Sequence, residues 1–165
     1  MKLVLQRVNS ASVTVDNNTV GQINTGLLIL LGISKDYNEV KLDWMVNKIL
    51  ALRLWNDKDN ENKGAVTLDG RSVPFVKTKG FQKNITDING EFLIVSQFTL
   101  FGDCTQGTKP KFNNSMNGTD AKIIYELFIK KLKEKTKLKV ATGVFGAMMD
   151  VKLENSGPIT IILEK

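Results

Sequence analysis

Apolar and polar positions alternate over Leu3 to Val8, with Leu3, Leu5 and Arg7 on one face and Val4, Gln6 and Val8 on the other. That period of two predicts a half-buried strand. Ser12-Val13-Thr14-Val15 predicts a strand entering a turn at Asp16-Asn17-Asn18, with Thr19 to Ile23 returning as its hairpin partner. Gly26 to Ile33 is nearly all apolar and reads as a buried strand. The period then lengthens. Leu42, Met45, Val46, Ile49 and Leu50 share one helical face, which predicts a helix over 37–52 capped by Asp36 or Asn38. Leu52 to Trp55 continues as a short strand, with the Trp as a core residue.

Asn56 to Lys83 is polar and Gly-rich, and reads as an excursion from the body of the fold. Within it, Asp69-Gly70 between Val66 and Val73 signals a small surface hairpin, and Pro74 argues against a central strand. Gly90 to Gly102 is the most apolar stretch after this and predicts a central strand. Ser96, Gln97 and Thr99 interrupt it. In an unbroken strand Gln97 and Thr99 share one face, and Ser96 and Phe98 the other. Asp103 to Gly118 reads as a loop carrying Lys109 and Lys111. A second helix begins at Thr119 or Asp120 and runs to about Lys135, lined by Ile124, Leu127, Phe128 and Leu132. Strands follow at Val140 to Phe145, Met149 to Leu153 and Ile159 to Leu163, the last two joined by a turn at Asn155-Ser156-Gly157-Pro158. The fold class is therefore α/β, mixed and largely antiparallel, with two main helices in a single domain spanning 1–165.

Composition narrows the chemistry more than the class. The 165 residues include no His, which removes Ser-His-Asp and Cys-His nucleophiles and most zinc and iron sites. No Gly-rich phosphate loop and no cluster with metal-ligand spacing is present, so neither metal nor cofactor is expected. Cys104 is the one cysteine, which fits a reducing cytoplasm. The longest apolar run, Leu27 to Leu31, is too short to span a bilayer, and the first six residues lack a signal-peptide core. A net charge of +6 and a pI near 9.4 favour an anionic partner such as RNA, although the same excess serves solubility. The lysines of the second helix, Lys122, Lys130, Lys131, Lys133 and Lys135, with Lys137 beyond it, also suit a solvated face that complements the helix dipole.

Two stretches remain as candidates for chemistry. Ser96-Gln97-Phe98-Thr99 is a polar outlet on an apolar strand, to be satisfied by the fold or by a ligand. Asn155-Ser156-Gly157-Pro158-Ile159-Thr160 holds exposed backbone amides and carbonyls in a fixed geometry, or is simply a turn. Arg7, between its leucines, reads by itself as an arginine reaching to water along apolar surface.

In combination these stretches resemble the D-aminoacyl-tRNA deacylase family, which removes D-amino acids wrongly attached to tRNA. The likeness covers almost the whole chain. It rests on Gln6-Arg7-Val8, Ala11 to Val15, Gly26-Leu27-Leu28, Leu52-Arg53-Leu54, Ser96-Gln97-Phe98-Thr99-Leu100, Phe145-Gly146-Ala147 with Met149, and Asn155 to Thr160. It implies a cytoplasmic homodimer acting on aminoacyl-tRNA, with active sites at the subunit interface. Each pocket would take the Ser-Gln-Phe-Thr strand end from one chain and the Gly157-Pro158 turn from the other, with Phe145, Met149 and Asn155 also implied in substrate selection. The Gly157–Pro158 peptide bond would be cis, and Arg7 would support its loop. Gly157 and Pro158 would then reject L-aminoacyl groups by a backbone clash and admit glycine.

Within that picture Thr99 is the nucleophile by residue type, but neither motif offers a base to activate it. The backbone N–H groups near Phe98 and Thr99 suit an oxyanion hole better, with the substrate's 2′-OH as the base, acting through water. After the central strand the family usually shows Lys-Gly-x-Arg-Pro-Ser-Phe. Here Gly107-Thr108-Lys109-Pro110-Lys111-Phe112 keeps the frame with Lys109 and Lys111, which retain positive charge for phosphate without a bidentate guanidinium. Two other classes compete: a catalytically silent RNA-binding module, and a structural dimer in which Gln97 and Thr99 are fully bonded within the fold.

Overall fold

Thirteen elements follow one another along the chain: β1 (Lys2–Val15), β2 (Asn18–Ile23), β3 (Gly26–Gly32), α1 (Glu39–Ala51), β4 (Arg53–Trp55), β5 (Asn62–Leu68), β6 (Arg71–Lys77), β7 (Lys83–Asn84), β8 (Glu91–Ser96), a 3₁₀ turn (Phe98–Phe101), α2 (Gly118–Lys135), β9 (Val140–Thr142) and β10 (Asp150–Glu164). They come from a computed structural model that describes residues 1–56, 62–68, 71–77 and 80–165. The main sheet runs β10-β1-β3-β8-β9, with β2 also paired to β1. β1 is antiparallel to β10, β2 and β3, whereas β8 is parallel to both β3 and β9. The mixed, largely antiparallel expectation holds.

Alternation along these strands builds two cores. Leu3, Leu5, Leu27, Ile29, Leu31, Phe92 and Ile94 face the helices, against Leu42, Met45, Val46 and Ile49 of α1 and Tyr125, Phe128 and Leu132 of α2. Leu28, Leu93 and Val95 point the other way and meet Val8, Ala11, Val13 and Ile23 inside the curl of the sheet. The curl is tight. A Cβ on Gly21 of β2 would stand 2.5 Å from the Thr142 carbonyl oxygen of β9, so only glycine fits there.

The sequence-predicted strands at Leu3 to Val8 and Ser12 to Val15 are one strand, β1. Register shifts after Gln6 and Val8 break the alternation, which lets Val8 and Val13 share a core despite their odd spacing. Its hairpin to β2 turns on Asp16 and Asn17, both at positive φ (48° and 63°), as a two-residue turn requires. Asn38, not Asp36, caps α1, its side chain accepting from the Lys41 amide at 2.9 Å. The excursion does contain an antiparallel pair, β5 with β6, and Pro74 lies in that two-stranded sheet rather than in the main one. The Asp69-Gly70 turn lies outside the described residues.

α2 begins at Gly118, one or two residues earlier than expected, because Asn117 caps it, its side chain accepting from the Asp120 amide at 3.1 Å. Its buried stripe is Ala121, Tyr125, Phe128 and Leu132; Ile124 and Leu127 flank it and are only partly buried. Lys131 ties α2 to α1, its Nζ lying 2.6 Å from Glu39 and 2.7 Å from Asp43. Among the described residues no helix is long and apolar enough to cross a membrane.

Candidate active site

The apolar run of β8 ends at Ser96, and the expected continuous strand to Gly102 does not form. The Gln97 amide still donates to the Leu31 carbonyl of β3 at 2.8 Å, but the backbone then coils into the 3₁₀ turn. Leu100 N–H donates to the Gln97 carbonyl (3.4 Å) and Gly102 N–H to that of Thr99 (2.9 Å). The strand's two-face alternation therefore does not apply beyond Ser96. The amides of Phe98 and Thr99 open the turn, where a helix has no carbonyl of its own to offer them.

This turn forms one lip of a cleft of about 720 Å³. Its floor is Leu30, Leu31 and Val95; its walls include Phe112 and Met116 on one side and Phe145, Gly146, Met148 and Met149 on the other. Phe98 is 57% exposed and stacks edge-on against Phe112, with ring centroids 5.0 Å apart. Phe145 is held from behind. Its ring lies 5.5 Å from that of buried Tyr125, whose hydroxyl donates to the Ile94 carbonyl at 2.9 Å. The same carbonyl accepts from Gly143 N–H at 2.9 Å, which ties the wall after β9 to β8. Burial pushes the Tyr125 hydroxyl well above its ordinary pKa, so it serves as a neutral donor.

The side chains of Ser96, Gln97 and Thr99 have no hydrogen-bond partner among the described residues, although they stand at the mouth of an apolar cleft. The structural-dimer reading required Gln97 and Thr99 to be fully bonded within the fold, and they are not. Lys109 and Lys111 are exposed on the loop that carries Phe112, its base closed by paired backbone bonds between Asp103 and Lys111 (2.8 and 2.9 Å).

The second motif is placed elsewhere. The expected turn at Asn155 to Pro158 is a bulge inside β10, opened where β1 advances only from Gln6 to Val8 while β10 passes from Thr160 to Asn155. Asn155 frames it, donating through Nδ2 to the Arg7 carbonyl (2.9 Å) and the Ile159 carbonyl (3.1 Å). Arg7 braces it from β1, donating to the carbonyls of Ser156 (3.3 Å) and Leu54 (2.6 Å). Burial pulls the guanidinium below its ordinary pKa, but it stays a cation. Arg7 is thus not an edge side chain reaching to water. Gly157 sits at φ 120°, and a Cβ there would meet Ile159 and come within 3.2 Å of Arg7. The Gly157–Pro158 peptide bond is cis, and both residues are exposed. Neither lines the cleft of its own chain.

A model of the D-Tyr-tRNA(Tyr) deacylase family matches residues 4–164. The chain belongs to that family. Among curated deacylase relatives, the D-aminoacyl-tRNA deacylase of Trichodesmium erythraeum (strain IMS101) is 46% identical over 165 residues, covering 100% of this chain and 97% of the relative. That of Clostridioides difficile (strain 630) is 43% identical over 164 residues, covering 99% and 97%. Deacylases are hydrolases, and this chain is an enzyme of that kind. A solved structure titled c-Myc DNA Unwinding Element Binding Protein superposes with TM-score 0.83 at 36% identity, covering 100% of this chain and 99% of that one. A probable eukaryotic D-amino acid tRNA deacylase superposes with TM-score 0.72 at 16% identity, covering 98% and 97%, a likeness of fold.

The deacylase fold thus brings Ser96, Gln97, Phe98, Thr99, Phe145 and Met149 to one cleft, and Arg7, Asn155, Gly157 and Pro158 to one braced tip. It does not bring the two groups together within a chain. Sequence reasoning missed the part of Met116 in the cleft wall and the Leu54 carbonyl that holds Arg7. Phe112 was visible beside the Lys109-Pro110-Lys111 segment, but nothing local marked it as the partner of Phe98. Among the described residues, no group of three or more His, Cys, Asp or Glu is placed to hold a metal.

Proposed function

We propose that this deacylase hydrolyses the ester between a D-amino acid and the 3′-terminal adenosine of tRNA in the cytoplasm, and that it works as a homodimer. The carrying observation is a cleft whose polar lip, Ser96, Gln97 and Thr99, has no side-chain hydrogen-bond partner among the described residues. The braced Gly157–Pro158 tip does not line its own cleft, and Met148 on the cleft wall is 93% exposed. A tip from a second copy completes the pocket. Its main chain lies beside the substrate α-carbon, accepts from the ammonium group and leaves room for hydrogen only. An L side chain would strike backbone, which cannot yield as a side chain can, so rejection is indifferent to side-chain identity. Glycine passes the same filter, which makes glycyl-tRNA a second substrate.

In the reaction a water attacks the ester carbonyl carbon and passes its proton to the 2′-oxygen of the terminal ribose, whose own hydroxyl proton goes to the departing 3′-oxygen. The N–H groups of Phe98 and Thr99 hold the oxyanion, and collapse releases the protonated 3′-oxygen and the free amino acid. Gln97 and Thr99 position the ester. Lys109 and Lys111, beside Phe112, take phosphates of the incoming 3′ strand.

Release of D-tyrosine but not L-tyrosine from Tyr-tRNA by the purified protein is the expected result. Equal rates on both would overturn stereochemical selection, and no hydrolysis with tRNA still bound would leave a nucleic-acid-binding protein. The solved relative titled as a DNA element binding protein motivates that second reading.

A further inference from the structure

α2 carries its lysines on two sides that do different work. Lys131 is engaged with Glu39 and Asp43, and Lys135 donates to Asn47 at 2.7 Å, so the side turned to α1 is neutralised within the fold. Lys139, past the helix end, pairs with Glu91 at 3.2 Å. Lys130 and Lys133 are exposed and make no ion pair or side-chain hydrogen bond among the described residues. Lys130 lies two residues beyond buried Phe128, about 200° around the helix, on the side away from the core. The exposed Lys137 extends the same charge beyond the helix.

The helix is also aimed at the site. Gly118 and Ala121 in its first turns line the cleft, and its 18 residues then run about 27 Å away from it. A strand whose 3′ end occupies the cleft leaves past Lys109 and Lys111, on the loop that leads into this helix. Along that outer side Lys122 is paired with Glu126 at 3.9 Å, and Lys130 and Lys133 are the exposed lysines of the helix with no ion pair or side-chain hydrogen bond among the described residues.

We propose that the outer side of α2, through Lys130 and Lys133, binds the phosphodiester backbone of the tRNA acceptor arm. The inference rests on the deacylase reading for the identity of the RNA, but the surface is tested by binding alone. Phosphate contacts of this kind add affinity without sequence preference and weaken steeply with salt, because each one releases counterions.

The test compares two double variants of equal charge change, Lys130→Gln/Lys133→Gln and Lys131→Gln/Lys135→Gln, by titrating uncharged tRNA over a range of salt. The outer pair is expected to weaken binding about tenfold at low salt and to reduce the slope of log K against log salt by about 1.5 to 2. The inner pair is expected to lower the melting temperature while leaving that slope intact. Equal effects from both pairs would show that only net charge matters, and an unchanged slope in the outer pair would remove the surface. Hydrolysis separates the two ideas. The outer variant should cleave D-tyrosyl-adenosine like wild type and lose about tenfold in kcat/KM, through KM, on D-tyrosyl-tRNA. A wild type that cleaves neither ester sinks the deacylase reading while the binding titration still decides the surface.

Discussion

Arg7 donates through Nε to the carbonyl oxygen of Ser156, 3.3 Å away across the β1–β10 pair, one residue before the exposed Gly157. Its Nη1 is fixed at 2.6 Å to the Leu54 carbonyl. A half-buried cation held at two carbonyls braces the strand just before the tip. Replacing it with Lys keeps the charge and loses the fork that reaches both. Arg7→Lys should lower the D-to-L rate ratio roughly tenfold, and Arg7→Ala should in addition cost about 1–3 kcal/mol of unfolding free energy. Urea titration and paired D- and L-Tyr-tRNA assays measure the two effects; an unchanged ratio in both variants would remove Arg7 from selection.

Thr99 stands at the cleft with no base bonded to its hydroxyl among the described residues. Thr99→Val and Thr99→Ala should therefore keep at least roughly a tenth of the wild-type kcat, where loss of a true nucleophile costs several orders of magnitude. Single-turnover rates decide it. Abolished chemistry in both variants with binding intact would make Thr99 the attacking group.

The proposed sharing of each site between two copies makes a prediction about mixtures. Gln97→Ala injures the cleft and Gly157→Ala injures the tip, so each homodimer has two damaged sites. Subunit exchange makes half the dimers mixed, each with one intact cleft facing one intact tip, and activity should return to about a quarter of wild type. No recovery after verified exchange would mean that cleft and tip belong to one chain.

Gly21 lies against the Thr142 carbonyl where β2 approaches β9. Gly21→Ala forces backbone apart rather than a flexible side chain, and should destabilise by about 1–3 kcal/mol in urea unfolding. A variant as stable as wild type would mean that the curl opens freely.

Asp36 accepts hydrogen bonds from Lys41 and from Ser34, which pull its pKa down from 3.8 to about 2. Because the folded value is the lower one, the stabilisation is full above pH 3.8 and fades as pH falls through about 2. The side chain is largely exposed, so the effect is small. Asp36→Asn should be slightly less stable than wild type at neutral pH, with the gap closing between pH 3.8 and 2 in acid titrations. A gap that stayed constant with pH would assign the loss to packing.

What the chain determined by itself was local. Period two at the start of β1, the continuous apolar runs of β3 and β8, the helical spacing of Leu42, Met45, Val46 and Ile49, and the two hydrogen-bonding motifs depend on neighbours a few residues apart. The absence of His likewise removed whole classes of mechanism without any structure. Four features were decided only by contacts between distant segments. The strand stopped at Ser96 because its last bond, from Gln97 to Leu31, leaves the next backbone groups free to bond within a turn. The joining of two expected strands into β1, and of two into β10, came from register shifts that alternation cannot encode, since a bulge takes its place from the partner strand. Arg7 looks like any arginine on an apolar face until Leu54 and Ser156, far along the chain, bring their carbonyls to it. The distance between cleft and tip belongs to the same class: it is a property of the folded sheet, and no spacing along the sequence carries it.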